Sequence, residues 1–309
     1  MAALTTLFPV FFMLGLGLFS RIRGWISSDQ KAGAYNIVIK LLFPILIFNL
    51  IFTTKFEFSH LSIAGYVAAA YIGCIAVGKL AAGFTGKKYA HISPYLLATN
   101  EGGNIALPLY LSIVGASSNT IIFDLGGSFT CFILMPVLVA RQSAAGAGWK
   151  ELLKSMLTNS FIAAVLLGLV LNLTGVCTLL ENSAFYDLYA GTVSLATAPI
   201  IGIILFSLGY DLQIDRKTLP SISRLIVVKV ILSAAIIAGF FVLFPSLMAD
   251  KIFMTAVLIY FSCPTGFGVP PIISPLFKSQ DDSAYASSFI SIYMIITLTV
   301  YTLAVIFLG

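Results

Sequence analysis

The chain has 309 residues, of which 59% are hydrophobic and only 9% charged, with a mean hydropathy of +1.03 and a formal net charge of +5. A soluble chain carries about 25% charged residues, so a soluble globular domain is excluded and the sequence reads as one all-α integral membrane unit. Its basic residues lie scattered in short loops, so the positive charge is a topology signal and calls for no nucleic-acid partner.

Met1–Thr6 holds no basic residue, and Arg21 and Arg23 follow the apolar run Leu7–Phe19. A cleaved secretory leader has the opposite polarity, which predicts an uncleaved first helix with its N-terminus outside. Ten apolar segments follow one another at 4–20, 34–54, 62–84, 93–115, 119–140, 155–174, 188–210, 222–244, 252–277 and 284–308. Each is near the roughly 20 residues that a bilayer needs. Counted by alternate loops, 15 of the 17 Lys and Arg residues fall on one side, and only Lys55 and Lys251 on the other. The positive-inside rule then places both termini extracytoplasmic in a multi-pass protein of the cell membrane.

Two segments carry proline-bearing interruptions. Thr99-Asn-Glu-Gly-Gly-Asn-Ile-Ala-Leu-Pro108 breaks the fourth, and Cys263-Pro-Thr-Gly-Phe-Gly-Val-Pro-Pro271 breaks the ninth. Such breaks free backbone groups that lipid cannot satisfy, and they persist only beside protein or a water-filled cavity. Other matches link the halves. Lys40-Leu-Leu-Phe-Pro44 corresponds to Leu195-Ala-Thr-Ala-Pro199, and Ser128–Met135 to Ser288–Ile295. The chain therefore divides into a first repeat at 1–140 and a second at 155–309. Five spans is an odd number, so the repeats run oppositely through the membrane. Paired breaks in inverted repeats are the best sequence pointer to a transporter's binding site.

These residues resemble the auxin efflux carrier family, which includes bacterial malonate and malate permeases and the plant PIN carriers. The similarity runs nearly end to end through Tyr35-Asn-Ile-Val, Phe43-Pro44, Gly103-Asn-Ile-Ala-Leu-Pro108, Asn159-Ser-Phe-Ile, Ala198-Pro199, Ser207-Leu-Gly209-Tyr-Asp-Leu212, Cys263-Pro264 and Ser283–Ser291. The resemblance implies the bile-acid symporter/NhaA-like fold with crossed broken helices 4 and 9. It also implies a scaffold at 4–54 and 155–210, a moving domain at 62–140 and 222–308, elevator-type alternating access, an organic-anion substrate and a homodimer through the scaffold. Many members carry Asn seven residues before the crossover proline. Glu101 stands there in this chain, which points toward H+ or Na+ coupling and away from an uncoupled auxin-like uniporter. A sodium/bile-acid-type symporter is the alternative, although its carboxylate usually lies in the ninth span, and here the ninth has none.

Glu101 lies about 12 Å inside its segment at 1.5 Å per residue, where a charge costs about 3 kcal/mol. It reads as the ion-coupling carboxylate, with Na+ near Glu101 and Asn100, or as a hydrated cap on the broken half-helix. Substrate-binding candidates are Asn100, Gly103, Asn104 and Pro108 from the first break, and Cys263, Thr265, Gly266 and Pro270 from the second. Lys40, one turn before Pro44, either attracts an anion or snorkels to the interface. Lys79 and Lys229 read as snorkelling residues, and Asp124 as an outer-interface residue or else a second carboxylate near the site. His60 and His91 read as solvated loop histidines, Trp25 and Trp149 as interfacial anchors, and the four cysteines as packing residues.

HExxH, GxGD and nucleotide-binding loop patterns are absent from the sequence. No enzyme activity and no cofactor are expected, and a channel would repeat its pore-lining residues around an oligomer axis instead of inside one chain.

Overall fold

The computed structural model describes residues 2–53, 58–115, 117–142, 160–211, 218–266 and 268–307, and no strand occurs among them. In the first half, α1 (Ala2–Arg23), α2 (Ser28–Ile37), α3 (Phe43–Phe52) and α4 (Phe58–Leu80) are followed by the short α5 (Ser93–Leu97), then α6 (Leu107–Val114), α7 (Asn119–Phe129) and α8 (Met135–Gln142). The second half contains α9 (Ser160–Leu173), α10 (Tyr186–Thr197), α11 (Ile200–Asp211), α12 (Leu219–Leu243), α13 (Lys251–Phe261), α14 (Val269–Ile273) and α15 (Gln280–Phe307). Among the basic residues counted above, Lys55, Lys150, Lys154, Arg216 and Lys217 lie outside the described residues, as do Trp149 and the expected start of the sixth segment at 155–159.

Among the described residues, five stretches are long and apolar enough to cross a membrane: Ser28–Phe52, His60–Leu80, Tyr186–Tyr210, Leu219–Leu243 and Gln280–Phe307. The interrupted fourth and ninth segments fall short of that length because their breaks divide them into α5 with α6, and α13 with α14. Large apolar side chains such as Phe8, Leu80, Leu195, Val242 and Phe307 lie exposed on the outer surface. A continuous apolar exterior of this kind suits lipid and is rare on soluble monomers.

Proline shapes the helices in a regular way. A π turn precedes Pro44 at Val38–Leu42, Pro108 at Gly102–Ala106 and Pro136 at Thr130–Leu134. Proline has no N–H, and its ring collides with the carbonyl four residues back. A wider turn ahead of it moves that carbonyl aside while the helix continues.

Helix pairs are set by small residues and polar links. α1 runs along α11, and α3 along α9. Gly17 lies against the Phe206 carbonyl and Gly209 against the Leu14 carbonyl, so closely that a Cβ at either would collide with backbone. Close backbone approach through small residues is how helices associate where lipid supplies no hydrophobic drive. The Asn172 amide donates to the Phe52 carbonyl at 2.6 Å, fastening α9 to α3. Gly209→Val should therefore loosen the α1–α11 pair by about 1–3 kcal/mol through overpacking, read as a lower melting temperature in detergent. Gly191→Val, where a Cβ meets nothing within 4 Å, is the control and should change it far less.

A second group of helices packs together: α4 against α7, and α12 and α15 against α13. One face of α12 buries Ile222, Leu225, Lys229, Ser233, Ile236 and Phe240, a stripe at three- and four-residue spacing. Phe240 sits at the centre of an aromatic cluster, with ring centroids 5.0 Å from Tyr66, 5.3 Å from Phe261 and 5.5 Å from Phe123.

Two expectations about histidines change. His60 is in the first turn of α4, and His91 pairs with Asp282 at 3.1 Å, beside the Lys88–Asp281 bridge at 2.8 Å. Acidic residues at the N-terminus of α15 complement its dipole, so both contacts tie the 87–91 turn to that helix end. All four cysteines are buried free thiols, as packing residues would be.

Candidate functional site: the crossing of two interrupted helices

The first break begins where α5 ends at Leu97. Ala98 is extended, and Thr99 takes a left-handed φ of 57°. That conformation is strained for a β-branched residue. The chain then re-enters a helix at Gly102, with Glu101 as the capping residue. The second break runs from Ser262, after α13, to α14 at Val269.

The two breaks are bonded to each other. The Glu101 N–H donates to the Pro264 carbonyl at 2.7 Å, and the Thr265 hydroxyl donates to the Leu96 carbonyl. Gly266 approaches the first break closely: a Cβ there would sit 3.5 Å from the Asn100 carbonyl oxygen and 3.8 Å from Glu101 Oε2. Buried backbone groups must find partners, and here each break supplies some for the other.

Glu101 is 7% exposed. Its Oε1 accepts from the Asn104 backbone N–H at 3.2 Å and from Asn104 Nδ2 at 2.6 Å. The carboxylate thus caps the half-helix that begins at Gly102, where unpaired N–H groups and the helix dipole favour negative charge. Asp124 of α7 lies directly beside it. A Cβ on Gly102 would fall onto the Asp124 carboxylate, whose Oδ1 accepts from the Tyr260 hydroxyl at 2.6 Å. The expected outer-interface position of Asp124 is therefore corrected. It is half-buried at the crossing because α7 packs on the π turn at Gly102–Ala106.

Lys229 is also corrected. It does not snorkel: it is 1% exposed, and its ammonium donates to the Thr99 carbonyl at 2.8 Å, Asn100 Oδ1 at 2.9 Å and the Leu97 carbonyl at 3.3 Å. Asn100 Nδ2 donates to the Tyr260 carbonyl at 2.7 Å, which turns the amide oxygen toward the lysine. The second break is served by a neutral group, the Thr297 hydroxyl of α15, which donates to the Ser262 carbonyl at 2.7 Å.

The structure thus brings Asn100, Glu101, Gly103, Asn104, Thr265 and Gly266 to one place. Pro108 is buried just beyond, Cys263 Sγ bonds back to the Ile259 carbonyl at 3.2 Å, and Pro270 is half-buried on α14. Lys40 is exposed on its π turn, outside this network, and the ring of Phe43, three residues on, lies against Gly103. Among the described residues, the buried Thr99 hydroxyl and Asn104 Oδ1 lack hydrogen-bond partners. Buried polar atoms are rarely left so.

Sequence reasoning did not single out Thr297, and it assigned Lys229 to the interface. For Lys229 a signal existed. It is ten residues into the 25-residue α12, about 15 Å from that helix's start, too deep for an easy return to the interface. Comparison with protein-family models and with curated proteins finds no match for this chain.

Proposed function

We propose that the chain is a secondary carrier for a small organic anion, working by alternating access at the crossing of its two interrupted helices. The observation that carries this reading is the direct bonding of the breaks, through Glu101 N–H to the Pro264 carbonyl and Thr265 to the Leu96 carbonyl. Family, span number and topology extend it. Motif order supports membership of the auxin efflux carrier family, ten spans and extracytoplasmic termini in a cell membrane. The equivalence of the α1–α11 and α3–α9 pairs supports inverted repeats. An exchange of first and sixth segments, and of second and seventh, turns one pair into the other. The separate packing of α4, α7, α12, α13 and α15 supports a moving group carried on a scaffold, with a homodimer through that scaffold.

Glu101 is the coupling residue in this reading, and its geometry gives a mechanism. While ionised, it occupies the two Asn104 donors at the half-helix N-terminus. A proton or Na+ on the carboxylate weakens those bonds. The freed donors, with the Thr99 hydroxyl, then donate to a substrate carboxylate. Anion and cation therefore enter together.

Proteoliposome uptake of labelled dicarboxylates and monocarboxylates, under imposed H+ and Na+ gradients, tests the reading. Saturable, counterflow-capable uptake of at least one carboxylate is expected. Glu101→Gln should lose gradient-driven accumulation tenfold or more while keeping exchange of substrate across the membrane. Undiminished gradient-driven uptake in a folded Glu101→Gln protein sinks the coupling role, and no carboxylate flux in the wild type sinks the carrier.

A further inference from the structure

We propose that Lys229 is a tethered cation. Its ammonium fills an oxygen-lined cup at the first break that a free alkali ion would otherwise occupy, so the protein binds no Na+ there. Within the carrier reading, on which this rests for its meaning in transport, it denies Na+ this cup and leaves Glu101 as the place for a coupling ion.

The cup consists of the carbonyls of Leu97 and Thr99 and the side-chain oxygen of Asn100. Three acceptors meet the three protons of one ammonium. Leu97 ends α5, and unwound carbonyls together with half-helix C-termini are the groups that hold Na+ in broken-helix transporters. Neutral oxygens gathered this way suit a hard cation. They do not suit one another in its absence, because buried carbonyls without a donor are costly. Thr99 holds its strained φ of 57° within this cup, and the Tyr260 carbonyl fixes the Asn100 amide so that its oxygen faces inward. The lysine arrives from a different helix, on the buried stripe of α12, with the Tyr293 ring 5.9 Å from its nitrogen. None of its three bonds goes to a carboxylate. Glu101 bonds Asn104 and Asp124 bonds Tyr260 instead. The second break, whose Ser262 carbonyl is served by the Thr297 hydroxyl, has no such charge.

The test measures ion binding on the purified full-length protein, without transport. Melting temperatures are compared in sodium chloride and in choline chloride at equal ionic strength. The wild type and Lys229→Arg, which keeps a tethered charge, should show no difference. Lys229→Ala empties the cup and should gain a saturable Na+-dependent rise of about 3 °C or more. Saturable Na+ stabilisation that persists when Glu101→Gln removes the other candidate ion site overturns the proposal, and so does a folded Lys229→Ala protein that responds no more than the wild type. If Lys229→Ala fails to fold in either salt, equilibrium binding of radioactive sodium to Glu101→Gln, which keeps Lys229, decides: stoichiometric binding overturns the proposal, and none supports it. Failure of the wild type to move any carboxylate would sink the carrier reading while leaving this occupancy result intact.

Discussion

Asn100→Leu should destabilise the protein by about 3 kcal/mol or more, a larger effect than any other single polar substitution at the crossing. The substitution keeps the branched heavy-atom shape of the side chain and removes one of three acceptors from a fully buried ammonium. A hydrogen bond to a charged group contributes about 1.5–3 kcal/mol, and stranding a buried charge adds to that. The amide also holds α13 through the Tyr260 carbonyl, so the loss reaches both breaks. Thermal unfolding in detergent, followed by size-exclusion recovery after heating, gives the measurement. Asn182→Ala is the control. That amide bonds the Thr178 carbonyl on the exposed surface, and its removal should stay within about 0.5 kcal/mol. Equal losses at the two positions would mean that the Lys229 cup contributes nothing particular to stability.

Phe240→Ala is expected to cost about 3–5 kcal/mol, the range for emptying a buried aromatic position. Its ring touches those of Tyr66, Phe123, Phe244, Phe253 and Phe261. These come from α4, α7, α13 and the turn after α12, so no single neighbour can close the gap. Phe241, the next residue, is 49% exposed on the outer face, and Phe241→Ala should lower the melting temperature much less. The contrast separates packing inside the protein from contact with lipid or detergent. If both substitutions cost the same, the aromatic cluster is not a packed core.

The helical class was legible because composition and apolar run length leave little alternative for a chain with so few charges. The places of interruption were legible too. Pro264 and the glycines at 102, 103 and 266 mark positions where a helix cannot continue unaided, and the structure breaks at or beside them, whereas at Pro108 a π turn carries the helix on. Asn100, Glu101 and Thr265 could be picked out because polar side chains stand out in apolar segments. What the sequence hid was direction. α12 is apolar all round, so periodicity could not show that Lys229 faces inward on the same stripe as Ile222 and Phe240. Asp124 was hidden for a similar reason. Its distance from the segment end suggested an interface, while its neighbour in space, Gly102, is distant in sequence. The cap made by Glu101 was foreseen as one of two alternatives, and the hydrogen bonds from Asn104 realise it. The π turns were not foreseen, although each sits just ahead of a proline.

Those three π turns have a consequence for how the helices could move. A ring closed by a π bond holds one residue more than an α ring, so each turn stores one residue of slack in an otherwise regular rod. If that surplus slides along the rod, the side chains it passes rotate by about 100°, the angle per residue of an α-helix. The two ends stay where they are. The turn at Gly102–Ala106 lies between the Glu101 cap and Pro108, so Asn104 is among the side chains that such a slide would re-aim.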